Sequence, residues 1–274
     1  MLYLHNIING VWLIDPDYAN NYLPLVAAFM RGERFDSSVR KNESFISFFQ
    51  NGTVCSDDDI PLNSVAVINI SGAITKYDQD CGPSGMISKS NVLRKFYSND
   101  NIIGIILKID SGGGEGNAMR VMQDAVIDRN KPVVAFIDDM ACSAAYGIAS
   151  GCDVIVANSA TARIGSIGTY ITVSDYTKYW EQQGIRLIDV YASQSKDKNS
   201  AYYEALKGNL EPIRAIANRY NSDFIETVQR NRSEKLAENL NLWSTGKVFF
   251  ADEALKIGLI DSIDSFQNTL NYFV

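Results

Sequence analysis

Histidine is almost missing from this 274-residue sequence, and the single one, His5, stands in the first few residues. A Ser-His-Asp or Cys-His hydrolase needs an imidazole as its general base, so any nucleophile here is expected to use another one. Cysteine is also scarce. His5, Cys55, Cys81, Cys142 and Cys152 form neither a CxxC nor an HxxxH spacing, which argues against a zinc site, and four cysteines in so long a chain are no disulfide framework. They are read as reduced. Positive charge is short as well: 25 Lys and Arg against 32 Asp and Glu leave a formal net charge of -7, which gives no electrostatic reason to expect nucleic acid or an anionic membrane as partner. Long apolar runs are absent too. The strongest early one, from Tyr22 to Met30, falls far short of the roughly 20 residues that span a bilayer. The N-terminus has no Lys or Arg ahead of its apolar residues and is interrupted by His5, Asn6 and Asn9, so it does not read as a secretory signal. The expectation is a protein without a membrane anchor that works in the compartment where it is made.

What is present is an ordinary globular composition, 46% hydrophobic and 21% charged, enough for one large domain or two small ones. Residues 1 to 62 carry a mixed signal: an apolar start, a helical stretch from Asp17 to Arg31, and the run NGTVCSDDDIPLN, which reads as a linker or exposed loop. From Val65 the texture becomes regular. VAVINI (65 to 70), IIGIILKID (102 to 110), PVVAFID (132 to 138) and DVIVA (153 to 157) are short apolar runs rich in β-branched residues, separated by helical stretches at 88 to 98 and 117 to 129 and a short one at AAYGIAS. This alternation predicts βαβ units and a mostly parallel sheet covered on both faces. A helix at 177 to 184, a strand at 185 to 192 (IRLIDVYA) and a long helix follow. In that helix Leu210, Ile213, Ile216 or Ala217, Tyr220, Phe224 and Val228 make one apolar stripe. The end, GKVFFADEALKIGLIDSID, reads as a short strand, a helix over 251 to 257 stopped by Gly258, and a closing strand.

Open α/β sheets place their sites at the C-terminal ends of strands. Two features lie there. Asp110-Ser111-Gly112-Gly113-Gly114 lets backbone come close to a ligand and aims N–H groups at developing negative charge, although a tight turn alone would use the same residues. No Gly-Lys-Ser/Thr follows, which excludes a Walker phosphate loop. In Asp139-Met140-Ala141-Cys142-Ser143-Ala144-Ala145-Tyr146 a serine sits between strand end and helix start, with its hydroxyl expected to be exposed in the mouth of a site; the plainer role is a helix N-cap. Cys142 is the rival nucleophile, read as a small buried hydrophobe. A desolvated lysine can replace histidine as base, and the candidates are Lys196 and Lys198 in SKDK, which could equally be a solvated loop. Ser166, in Gly165-Ser166-Ile167-Gly168, is either part of a plain turn or a hydroxyl that orients a neutral lysine amine.

Together DSGGG, ACSAAYGIAS, DVIVA, GSIG and GKVFFADEALKIGLID, in that order from Val65 to Asp261, resemble the signal peptide peptidase A family of Ser/Lys serine peptidases, including its phage-encoded head maturation branch. The resemblance implies a Clp/crotonase-like α/β fold, a ββα superhelix whose mostly parallel sheet is covered by helices, and assembly into rings in which the dyad is sometimes completed across subunits. It implies Ser143 as nucleophile, Lys196 or Lys198 as base with Ser166 hydrogen-bonded to it, and an oxyanion hole from the N–H of Gly113 or Gly114 and that of Ala144. No cofactor or metal is implied. Residues 63 to 274 would be the peptidase domain, and residues 1 to 62 an interaction or assembly region standing where the cellular enzymes have a membrane anchor. The phage branch implies a scaffold or capsid protein as substrate and the host cytoplasm as location. Two departures stand out: the turn lacks the family's Pro, and Ala144-Ala145 replaces Gly-Gly after the nucleophile. The competing readings are a catalytically silent assembly protein of the same fold and an acyl-CoA enzyme of the crotonase type, which also uses glycine-turn oxyanion holes.

Overall fold

A computed structural model describes residues 12–14, 31, 45–56, 59–79 and 83–273. The strands in chain order are β1 (Trp12–Ile14), β2 (Ile46–Gln50), β3 (Thr53–Cys55), β4 (Ser64–Ser71), β5 (Ile102–Ser111), β6 (Gly113–Glu115), β7 (Val133–Cys142), β8 (Val154–Ala157), β9 (Arg163–Gly165), β10 (Val248–Phe250) and β11 (Ser262–Ile263). The helices are α1 (Met86–Tyr97), α2 (Gly116–Ile127), α3 (Ala144–Ser150), α4 (Thr177–Gln182), α5 (Ser200–Leu206), α6 (Glu211–Arg232), α7 (Ala251–Lys256) and α8 (Phe266–Leu270). Nine strands form the main sheet; β1 and β6 form a separate pair.

β4, β5 and β7 are parallel neighbours at the centre, and β8 and β9 add to β7 in parallel, while β2, β3 and β10 pair antiparallel toward the edges. The mixed α/β architecture with a mostly parallel sheet is the one expected. Its central strands are apolar on both faces because both faces are covered. Ala66, Ile68, Leu107, Ala135 and Ile137 pack with residues of α1, α2 and α3, whereas Val65, Val67, Ile106, Phe136 and Val156 pack with Leu270 and Phe266 of α8.

Three sequence expectations are corrected. The run after Gln50 is not simply a loop. Asn51 and Gly52, both at positive φ (48° and 78°), make a two-residue turn from β2 into β3, and this hairpin extends the sheet beyond β4. Residue 62, the expected boundary, lies in the connection from β3 to β4. Second, residues 185–192 form no strand. Their side chains are exposed, and among the described residues no neighbouring strand offers the ladder partners that a strand requires. Third, the α6 stripe is buried only in its C-terminal half: Phe224 and Val228 are in the core, while Leu210, Ile216 and Tyr220 face solvent. The helix expected at 17 to 31 lies outside the described residues, apart from Arg31.

Candidate active site

The end of β7 is where the sheet builds the site. β7 pairs with β8 through Val134–Ile137, then changes partner and pairs with β9 through Met140–Cys142. Cys142 lies opposite Gly165, and the next N–H, that of Ser143, donates to the Gly165 carbonyl at 2.7 Å. This pairing brings Ser143 and Ser166 together across two strand ends. Both serines have left-handed backbone angles, φ 54° and 50°, and Gly165 between them has φ 108°. Non-glycine residues at such angles are strained and persist only where the surroundings hold them. The Ser166 N–H donates to the Lys247 carbonyl at 2.8 Å, so the segment before β10 fixes it from the other side.

Ser143 precedes α3 as its N-cap residue, yet its side chain makes no capping hydrogen bond, and its Oγ is buried without any partner among the described residues. The plainer capping role is therefore not the one it plays. The hydroxyl is not exposed in an open mouth either; the residue is only 1% accessible. Its carbonyl accepts the Gly147 N–H at 2.9 Å, the first bond of α3, so the Ala144 N–H ahead of it needs no intrahelical acceptor. Cys142 is fully buried and its thiol is directed to the Arg163 carbonyl, 3.7 Å away, on the side of β9.

The glycine turn lies at the end of β5, beside β7, where Ser111 is paired with Ala141. Ser111 Oγ donates to the Gly72 carbonyl at 2.6 Å and accepts the Gly113 N–H at 3.1 Å. Of the two expected oxyanion donors, Gly113 is thus already engaged. Gly114 remains. No side chain could replace its hydrogen, because a Cβ there would sit 2.0 Å from the Ile74 carbonyl oxygen. At the rim, loss of hydration and then the repulsion of Asp139 and Asp138 raise the Asp110 carboxyl above its ordinary range.

The lysines are elsewhere. Lys196 and Lys198 lie in an exposed run of turns ahead of α5, and no hydrogen bond links either ammonium to Ser143, whose Oγ is without partner. Among the described residues neither of these two lysines is desolvated beside Ser143. What sequence reasoning missed is Lys89, 2% exposed on α1, its Nζ 4.1 Å from the centre of the Phe45 ring. Burial lowers its pKa to about 8 against the opposing pull of Asp78. A single lysine on an otherwise helical pattern carries no signal that marks it as buried.

The last expected motif ties the site to the C-terminus. The Tyr146 hydroxyl donates to the Leu259 carbonyl at 2.8 Å. Arg232 at the end of α6 is 2% exposed and grips both Asp261 carboxylate oxygens, at 2.9 and 3.1 Å, and the Gly258 carbonyl. Among the described residues no cluster of His, Cys, Asp and Glu could hold a metal ion, and no helix is long and apolar enough to cross a membrane.

The profile of peptidase family S49 matches residues 125–273, more than half of the chain. The chain is 27% identical over 216 residues to protease 4 of Haemophilus influenzae, covering 76% of this chain and 34% of that one. It is 26% identical over 221 residues to capsid assembly protease C of Escherichia phage lambda, covering 76% and 50%. It therefore spans half or less of the length of these two relatives. Among solved structures, the 1510-N membrane-bound stomatin-specific protease aligns over 77% of this chain and 84% of its own at 19% identity, with a TM-score of 0.48.

Proposed function

Since the chain belongs to peptidase family S49, we propose that it is a serine endopeptidase in which Ser143 attacks the peptide carbonyl and a lysine, Lys198 or Lys196, takes the serine proton. The observation that carries this reading is the Ser143 hydroxyl: buried, without a partner among the described residues, and held on strained backbone beside Ser166. An unpaired buried hydroxyl costs on the order of 1–3 kcal/mol, and such costs persist where a reaction uses the group. In the first step Oγ bonds to the carbonyl carbon as its proton passes to a neutral amine. The N–H groups of Gly114 and Ala144 receive the oxyanion. The protonated lysine then gives its proton to the leaving amine, and water, deprotonated by the same lysine, releases the acyl group and restores Ser143. No metal or organic cofactor takes part.

The exposed position of Lys196 and Lys198 requires that their arm fold onto an active site, its own or that of a neighbouring copy, and desolvate there. The apolar side chains at 185–191 give the arm a reason to dock. We therefore assign a homo-oligomer as the active form. The substrate class is extended or unfolded protein, and the similarity to capsid assembly protease C favours a scaffold or capsid protein. Hydrolysis of an unfolded protein by the wild type, lost in Ser143→Ala and in one of Lys196→Ala and Lys198→Ala, is the expected result. Activity that survives Ser143→Ala overturns the assignment. A folded oligomer with no activity at all favours the silent assembly protein, because neither lysine reaches Ser143 in the lone chain.

A further inference from the structure

β6, the strand that leaves the glycine turn, has two edges. Ile74 takes one: its N–H donates to the Gly113 carbonyl and its carbonyl accepts the Glu115 N–H, both at 2.9 Å, with Gly114 directly opposite. Backbone polar groups alternate in direction along a strand, so those of Gly114 face the other edge. That edge is occupied by β1. The pairing is antiparallel, with Trp12 opposite Glu115, Leu13 opposite Gly114 and Ile14 opposite Gly113. The chain's own early segment thus lies along Gly114, the glycine whose N–H an oxyanion would use, and takes up that N–H while the two strands are paired.

We infer that Trp12–Ile14 is an internal cover of the active site, occupying the strand position that an extended peptide would take, and that cleavage requires its displacement. The inference rests on the reading of Ser143 as nucleophile. A peptide chain recognised in extended form is held by main-chain bonds to an exposed strand edge. β6 has no second free edge, so an incoming peptide and β1 compete for the same groups. The cover is also weak enough to yield. It is three residues long and forms a two-stranded sheet apart from the main one, and isolated two-stranded ribbons are marginal in water.

Two variants of the full chain test this. Leu13→Pro removes the N–H opposite Gly114 and leaves the charge unchanged. Trp12→Cys/Glu115→Cys places two thiols at directly opposed positions beside the Leu13–Gly114 pair, a spacing that a disulfide can bridge. The readouts are amide hydrogen exchange in the 111–116 segment and the rate at which a fluorophosphonate labels Ser143. Leu13→Pro is expected to speed exchange and labelling by about tenfold, the factor for one lost strand hydrogen bond. The oxidised double-cysteine variant should label more slowly than the wild type and recover on reduction. Unchanged exchange in Leu13→Pro, together with thiols that do not join, overturns the strand cover. Equal labelling in all forms, with exchange altered, overturns its gating role. If exchange changes as expected but no form is ever labelled, the peptidase reading fails while the strand contact stands.

Discussion

Ser143 is held in a conformation and an environment that both cost stability, and each can be measured. Removing the hydroxyl leaves the strained φ of 54° but removes an unpartnered buried polar atom. Ser143→Ala is therefore expected to unfold at the same denaturant concentration or a higher one, by up to ~1 kcal/mol, while losing all activity. A clear loss of stability would mean that the hydroxyl has a structural partner. Lys89 is a second costly residue. Burial lowers its pKa from 10.5 to about 8, so between those values the unfolded chain binds more protons than the folded one and stability rises with pH. The gain is roughly 3 kcal/mol for a shift of that size. Lys89→Met should be the more stable protein at pH 7, and urea titrations at pH 7 and pH 10 should show the difference between the two proteins shrinking. A constant difference would show that the ammonium is hydrated in the folded state. The strand ends at 111, 142 and 165 are legible because Gly and Ser gather there. The depth at which Ser143 lies is not, since burial there comes from distant segments.

At the level of elements, β7 does the positioning through its change of partner from β8 to β9, which sets Cys142 against Gly165. The sequence run PVVAFID marks only its first half, and Asp138-Asp139 reads as the end of a strand. It continues because Asp138 lies partly exposed and pairs with Lys108 at 2.9 Å, so the charge need not leave the strand. The Asn51-Gly52 hairpin was legible in principle from its dipeptide; the acidic residues that follow hid it. The α6–Asp261 clamp gives the prediction at this scale. Burial pushes the Asp261 carboxyl up, but hydrogen bonds from Arg232 and Lys235, the Arg232 charge and the Ile155 N–H together bring it below the ordinary value. A depressed carboxyl stabilises the fold above its unfolded pKa of about 4, and that stabilisation is lost as pH falls through the lower folded value. Asp261→Ala leaves the Arg232 guanidinium buried and unpaired, so unfolding at pH 7 should lose about 3–5 kcal/mol, with a smaller deficit at pH 3. A loss under 1 kcal/mol at pH 7 would show that the clamp is dispensable.

The whole molecule carries an arm that its own core does not use. Leu187, Ile188 and Val190 are 69%, 71% and 89% exposed, and Leu210, just ahead of α6, and Ile216 and Tyr220 on it lie open as well. The residues at 185–192 are those that strands bury, which is why the pattern predicts a strand; among the described residues nothing covers them, and residue pattern alone does not tell an internal partner from a second copy. Apolar residues clustered in this way mark an interaction surface. Sedimentation should find an oligomer for the wild type and a smaller species for Leu187→Asp/Val190→Asp, with Ser143 labelling reduced alongside. A double variant that keeps its size and labelling would place the assembly surface elsewhere. The most direct measurement of the central claim is adduct mapping: the purified chain is treated with a fluorophosphonate, and intact mass and peptide mapping locate the modification. The account predicts a single adduct on Ser143 that is lost in either Lys196→Ala or Lys198→Ala. An adduct on Cys142, or one on Ser143 that is indifferent to both lysines, would contradict it.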